Sequence, residues 1–172
     1  MVGGSGGIGA ETAVALAALG ADLVVHGGSS EERLEATLDR IRESGAVASG
    51  FLARLDTFAD AAPVLERCAG TDILVAAHGP FLQAPLHETA AADWERLAAM
   101  DLALPGALVS AALPGMRARG WGRILLFGGT RTELPRAFKT NAAYAACKTG
   151  LSSLARSVAA EYARDGVACL LA

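Results

Sequence analysis

An open, doubly wound parallel β-sheet with helices on both faces is the fold class this sequence predicts, and three observations predict it. Short β-type runs alternate with helix-period segments from end to end of the 172 residues. The segments joining them are short. The chain also opens on a glycine run, Gly3-Gly4-Ser5-Gly6-Gly7-Ile8-Gly9, that leads straight into a helix. Strands separated by helices pair in parallel and are covered on both faces. Short right-handed crossovers then favour the open arrangement, in which ligands sit outside the carboxyl ends of the strands.

Each element has its own local reason. Glu11 to Leu19 is an Ala/Leu-rich helix stopped by Gly20, and Asp22 to His26 reads as a buried strand. Glu31 to Ser44 places Leu34, Leu38 and Ile41 at spacings of four and three, one apolar stripe, before Gly45 ends it. Val47 to Leu55 is the next strand, Phe58 to Cys68 a helix, and Ile73 to Ala77 a compact apolar strand. Ala91 to Ala118 reads as a long helix kinked at Pro105. Arg123 to Phe127 is a strand and Asn141 to Arg164 a long helix, and Asp165-Gly166 turns the chain into a last strand, Val167 to Leu171. No repeat, linker or internal boundary interrupts the series, so residues 1–172 are expected to form a single domain.

Composition narrows the function classes. Apolar residues make up 52% of the chain and charged residues 19%, with a formal net charge of −3. A mean hydropathy of +0.36 raises the question of a membrane span. The longest uncharged apolar run, Leu102 to Met116, carries Pro105, Gly106 and Pro114 and is shorter than the ~20 residues a span needs, so none is expected. The N-terminus lacks the basic and apolar regions of a secretory signal. Cys68, Cys147 and Cys169 are odd in number and widely spaced, which fits neither a disulfide framework nor a zinc site; a reducing, cytoplasmic location suits them. His26, His78 and His87 have no metal-ligand spacing, so no metal is expected. A mildly acidic chain without a basic cluster is a poor nucleic-acid binder.

Two motifs carry chemistry. The glycine run satisfies both Gly4-x-Gly6-x-x-Gly9 and Gly3-x-x-x-Gly7-x-Gly9. Glycines there permit a tight turn and let backbone N–H groups reach a pyrophosphate at a helix N-terminus, where the macrodipole favours anions. The bland alternative is a flexible tail, which the following helix and βα units argue against. The second motif is Tyr144-Ala145-Ala146-Cys147-Lys148. Four residues apart on a helix, phenol and ammonium share one face. The chain has two tyrosines and only two lysines, Lys139 and Lys148, among 15 basic residues, so such a pairing by chance is expected only about 0.02 times. A free phenol has a pKa of about 10, too high for proton exchange near neutrality, and a neighbouring ammonium is expected to lower it. The alternative, a solvated lysine beside a packed tyrosine, sits badly with a chain that otherwise almost always uses Arg for charge. Cys147 faces elsewhere and reads as packing.

Gly-x-x-x-Gly-Ile-Gly followed some 140 residues later by Tyr-x-x-x-Lys resembles the short-chain dehydrogenase/reductase family, in particular the 3-oxoacyl-acyl-carrier-protein reductase type. The resemblance covers nearly the whole chain: Asp56-Thr57 falls where the family has an Asp-Val pair beside the adenine, Asp72-Ile73-Leu74-Val75 where a strand leads into its Asn-Asn-Ala-Gly motif, and Gly122 to Phe127 where a strand ends in its catalytic serine. It implies a Rossmann-like sheet and hydride transfer between NAD(P) and a carbonyl or alcohol. Cofactor contacts are then expected from Gly3, Ser5, Gly7, Ile8, Gly9, Ser29, Ser30, Asp56, Thr57, Ala77, Gly79, Tyr144 and Lys148. It also implies a homodimer or homotetramer built through the two long helices.

Departures from the pattern are informative. Val2 stands where a threonine usually precedes the loop, and Ala76-Ala77-His78-Gly79 replaces the Asn-Asn-Ala-Gly segment. The family's relay asparagine aligns with Asp101, a carboxylate expected to connect Lys148 to solvent. Gly129 occupies the serine position, leaving Thr130 as the expected substrate-oxygen donor and Thr132 as the outsider. At the end of the second strand, His26-Gly27-Gly28-Ser29-Ser30 holds no acidic residue to bind a ribose 2′-hydroxyl. Ser29, Ser30 and Arg33 are placed to meet a 2′-phosphate, so NADP(H) is expected over NAD(H). The competing reading there is a helix cap, since Ser29-x-x-Glu32 has the capping-box spacing. Family members run to roughly 250 residues; this chain starts where a first strand should be ending and stops inside the sixth, so the sheet is expected to be incomplete at its first and last strands. Two other readings remain open: a non-catalytic nucleotide-binding module of the same fold, motivated by Gly129 and Ala76-Ala77, and an extended-type sugar-nucleotide epimerase, which the glycine spacing fits poorly.

Overall fold

A computed structural model describes residues 1–172. The chain divides into two compact units, Met1–Asp56 with Val75–His78, and Thr57–Leu74 with Gly79–Ala172.

In the first unit, α1 (Gly7–Ala18), β1 (Leu23–Gly27), α2 (Glu31–Glu43) and β2 (Ala48–Leu52) follow the predicted order. α1 begins four residues before the predicted Glu11, because glycines have no side chains to register in an apolar periodicity. β1 and β2 pair in parallel, Leu23 opposite Ala48 through Gly27 opposite Leu52. Leu34, Leu38 and Ile41 of α2 are buried with Ala13, Ala17, Leu23 and Val25, so the predicted stripe is the core-facing one. Each such leucine contributes about 1.5–3 kcal/mol on burial. The first strand is reduced to one residue: Val2 bridges His26 and Ala76, both in parallel. Its N–H donates to the Val75 carbonyl at 2.8 Å, and its carbonyl accepts from Ala77 N–H at 2.9 Å. A single bridging residue thus stands between β1 and the end of β3, where the sequence predicts an incomplete first strand.

In the second unit a 3₁₀ turn, Phe58–Ala61, precedes α3 (Ala62–Cys68), so the predicted Phe58–Cys68 helix is tighter in its first turn. β3 (Ile73–Ala76), of which Val75 and Ala76 belong to the first unit, β4 (Gly122–Leu126) and β5 (Val167–Leu171) form a three-stranded sheet in that order. β4 and β5 pair in parallel from Gly122 opposite Val167 to Leu126 opposite Leu171. α6 spans Ala142–Tyr162.

The long helix departs from its predicted form. α4 (Ala91–Ala98) runs into a π turn, Ala99–Ala103, and then α5 (Leu104–Arg119). The irregularity lies upstream of Pro105 rather than at it: proline has no N–H to return to the Asp101 carbonyl, and the ladder relaxes so that Leu104 N–H reaches Ala99 O, five residues back. α5 ends at Gly120, whose left-handed φ of 68° lets Gly120 and Trp121 return hydrogen bonds to Arg117 and Met116. The prolines do not interrupt the run as the sequence suggests; Ala91–Arg119 is 29 residues long and apolar enough to cross a membrane by length and composition. Half of its most apolar window is buried in the protein, with Leu97, Met100, Leu104, Leu108, Ala112 and Met116 in the core.

Candidate cofactor loop and active site

The glycine loop is built from backbone. Gly3 holds φ at 78°, a left-handed conformation, and a Cβ there would lie 2.9 Å from the His78 nitrogen. At Gly9 a Cβ would collide with the Gly3 carbonyl oxygen, so loop and helix touch through main chain alone. The first turn of α1 has Gly6 as its N-cap with no side-chain cap bond and no acidic residue. Its orphan N–H groups are therefore uncovered, which is the chemistry a pyrophosphate requires. Ile8 is exposed and Ser5 packs its hydroxyl beside Gly27. The residues present fit a dinucleotide phosphate.

One brace of this loop escaped the sequence reading. His26, 1% exposed, accepts a hydrogen bond from Gly3 N–H on Nδ1 at 3.2 Å and donates from Nε2 to the Ala53 carbonyl at 2.7 Å. Those partners fix the neutral Nε2–H tautomer. Burial pushes the pKa of His26 below its ordinary value. The available signal was a histidine inside an otherwise apolar strand run, Leu23-Val24-Val25-His26.

At the end of β1 the cap is Ser30, not Ser29: the Ser30 hydroxyl accepts from Arg33 N–H at 3.3 Å, which displaces the Ser29-x-x-Glu32 box by one residue. Ser29 is left exposed. Asp56 is held by the Arg54 guanidinium at 3.0 Å. In the second unit Thr57 donates both its N–H and its hydroxyl to the Asp60 carboxylate, at 2.8 and 2.9 Å. Ala77 is a strand partner of Val2. Gly79 lies directly against the Asp101 carboxylate, and a Cβ there would overlap it.

Tyr144 and Lys148 share one face of α6, as their spacing predicts, with the ammonium 5.7 Å from the phenol ring centroid. Lys148 is 6% exposed. Its Nζ donates to the Phe127 carbonyl at 3.1 Å and forms an ion pair with Asp101 Oδ1 at 3.0 Å. One ammonium proton is thus engaged by the Phe127 carbonyl, and the charge is paired with the carboxylate. Asp101 is 0% exposed, held inside by the π turn, so the expected link from Lys148 to solvent is instead a direct, closed ion pair. Burial raises the Asp101 carboxyl above its ordinary value, against the lowering pull of Lys148. The sequence expectation for Tyr144 is also reversed: burial first, then the Asp101 charge, pushes the phenol above 10.0 rather than below it. Phe81 stacks edge-on against the Tyr144 ring at 4.9 Å. Cys147 is buried with Leu97 and Ala143, as packing requires.

The loop after β4 carries Gly129, at the position where the resemblance implies a serine. A Cβ on Gly129 would come within 3.3 Å of the Tyr144 hydroxyl and 2.9 Å of its ring. Thr132, 1% exposed, accepts from Gly129 N–H at 2.8 Å and donates back to the Gly129 carbonyl at 2.9 Å. Thr130 is exposed at the turn, beside Arg131, which holds a left-handed φ of 63°. The outsider Thr132 is the residue bonded to the serine position, and Thr130 carries the free hydroxyl. Further along the loop Pro135, Arg136, Phe138, Ala142 and Ala145 line a cavity of about 390 Å³.

Residues 1–171 match the family model described as short chain dehydrogenase. The chain belongs to the short-chain dehydrogenase family. It is 30% identical to the D-beta-hydroxybutyrate dehydrogenase of Rhizobium meliloti, over 97% of this chain and 66% of that protein. It is 29% identical to the 2-dehydro-3-deoxy-D-gluconate 5-dehydrogenase of Formosa agariphila, over 97% of this chain and 64% of that one. Among solved structures of short-chain dehydrogenases, it matches the 3-oxoacyl (acyl-carrier-protein) reductase from Agrobacterium tumefaciens C58 with NADP bound, with a TM-score of 0.89 and 32% identity over 99% of this chain and 66% of that chain. A metagenomic short-chain oxidoreductase in complex with NADP gives 0.86 and 31%, over 99% and 77%. The family fold is therefore the Rossmann-like parallel α/β sheet the sequence predicts. This short-chain dehydrogenase chain spans about two thirds of the length of the curated relatives it matches.

Proposed function

We propose that this protein is an NADP(H)-preferring oxidoreductase that interconverts a small carbonyl compound and its alcohol. The observation that carries the reading is the Tyr144–Lys148 pair on one face of α6, the ammonium fixed by Asp101 and the Phe127 carbonyl. The nicotinamide supplies the hydride when bound. Tyr144 gives its proton to the substrate oxygen during reduction and takes it back during oxidation. Lys148 binds the nicotinamide ribose; Asp101 holds Lys148; and Thr130 orients the substrate oxygen. Gly3, Ser5, Gly7, Ile8 and Gly9 seat the pyrophosphate. Asp56, Thr57, Ala77 and Gly79 line the remainder of the cofactor, Asp56 and Thr57 after exchanging their present partners.

The NADP(H) preference is supported by the absence of an acidic residue between Gly27 and Ser30, by the free Ser29 hydroxyl, and by NADP in the solved relatives. The names of several relatives, hydroxybutyrate, gluconate and hydroxycyclohexanecarboxylate dehydrogenases, point to a hydroxy or oxo acid as substrate. Three free cysteines support a cytoplasmic location. Pairing of subunits through the Ala91–Arg119 and α6 helices is the proposed assembly.

Gly129 favours a second reading, a nucleotide-binding module without turnover. Tyr144→Phe separates the two. Turnover of a hydroxy acid is expected to fall by about 10²–10⁴-fold while NADPH binding, read by nicotinamide fluorescence, stays unchanged. A parent protein that binds NADPH and turns over nothing supports the module.

A further inference from the structure

The ammonium beside Tyr144 already has a counter-ion. A lysine four residues from a tyrosine favours the phenolate only as far as its charge is uncompensated. Here Asp101 Oδ1 lies 3.0 Å from Nζ, with the Asp101 side chain fully buried and that of Lys148 only 7% exposed. The π turn fixes the carboxylate, and Gly79 leaves it the space a Cβ would fill. The charged groups near the phenol are Lys148 on its own helix, 5.7 Å from the ring centroid, and Asp101 on the π turn, with Arg96 of α4 acting on Asp101; Cys147 is buried with Leu97 and Ala143. Phe81 and Gly129, the other neighbours, carry no charge.

We propose that Asp101 is the built-in counter-ion of Lys148, a positioning residue that fixes the ammonium against the Phe127 carbonyl and cancels its charge toward the Tyr144 phenol. The proposal rests on Tyr144 and Lys148 being the acid/base pair. Tyr144, Lys148 and Asp101 together are neutral with the phenol protonated and carry one negative charge with it ionised, so the buried site resists phenolate formation. The consequence is directional. At neutral pH Tyr144 keeps its proton and the site is set for reduction, in which the phenolic O–H bond breaks, the proton goes to the substrate oxygen, and water reprotonates the phenolate. Oxidation, which needs the phenolate first, gains speed only toward alkaline pH.

The chain's two tyrosines make a direct test available, because Tyr162→Phe leaves Tyr144 as the sole phenol. In that background the ultraviolet absorbance of phenolate, followed against pH on the full chain without cofactor, reads Tyr144 alone. Asp101→Asn is expected to lower the Tyr144 midpoint by about one pH unit or more, a tenfold loss of proton affinity. Asp101→Ser repeats the reading with a smaller neutral side chain should the asparagine variant not fold. Adding Lys148→Met to the asparagine variant is expected to raise the midpoint again, whereas Lys148→Met alone moves it little, since Asp101 then takes up a proton. An unmoved or raised midpoint in the neutral variants overturns the proposal. The outcome is separable from the acid/base assignment: retained turnover in Tyr144→Phe sinks that assignment, whereas the titration reads only the charge around the phenol.

Discussion

The glycine loop and the Tyr144 cluster solve opposite electrostatic problems. The loop presents main-chain groups alone: uncapped N–H groups at the start of α1, no acidic residue in its first turn, and a neutral histidine behind it. The Tyr144 cluster instead buries two full charges and lets them answer one another. Backbone dipoles stay in place when a side chain changes, whereas a buried ion pair changes character when either partner is altered. Substitutions in the first region should therefore act through shape and those in the second through charge.

The largest expected effect breaks the loop by shape. Gly9→Val drives a side chain into the Gly3 carbonyl, and NADPH affinity should fall by at least about a hundredfold by fluorescence titration, the loop amides being displaced from the pyrophosphate. The Tyr144 midpoint should not move, and a coupled shift would show that the contrast between the regions is wrong. Ser29→Asp adds charge where the loop has none. The ratio of NADPH to NADH affinity should drop by roughly tenfold through repulsion of a 2′-phosphate. An unchanged ratio would assign the preference elsewhere.

The smallest effect concerns His26 and sharpens the comparison by pH. Its folded pKa lies below the unfolded value of about 6.5, so below that pH the unfolded chain binds more protons than the folded one. Its contribution to stability is complete above about 6.5 and is lost as the pH falls toward the lowered folded value. Protonation also removes the Nδ1 acceptor from Gly3 N–H. Urea melts at pH 7.5 and 5.5 should show acid destabilisation in the parent and less of it in His26→Asn; equal losses would mean that other groups carry the effect.

Legibility differed with the locality of each signal. The α2 stripe, the β4 and β5 runs and the glycine loop are written in neighbouring residues, and each appears within a few positions of its expected place. The Tyr–Lys pair is local too, and its shared face was readable from a spacing of four. The Ser30 cap was misplaced by one residue because both serines satisfy the local chemistry, and only the helix start chooses between them. Pro105 signalled an irregular helix, but its result, a π turn upstream that turns Asp101 inward, depends on what the helix packs against.

The sequence by itself determined the alternation of strands and helices, the glycine-lined helix start and the shared helix face of Tyr144 and Lys148, because periodicity, turn preference and short-range spacing are properties of the chain. Only the tertiary structure decided that His26 braces the loop, that Thr132 rather than Thr130 is bonded to Gly129, and that Asp101 closes on Lys148. Tyr144, for which the sequence predicts a lowered pKa, consequently holds its proton more tightly than a free phenol. These outcomes turn on burial and on partners dozens of residues away, and a charge of known type has no known effect until its distance to the next charge and to water is set.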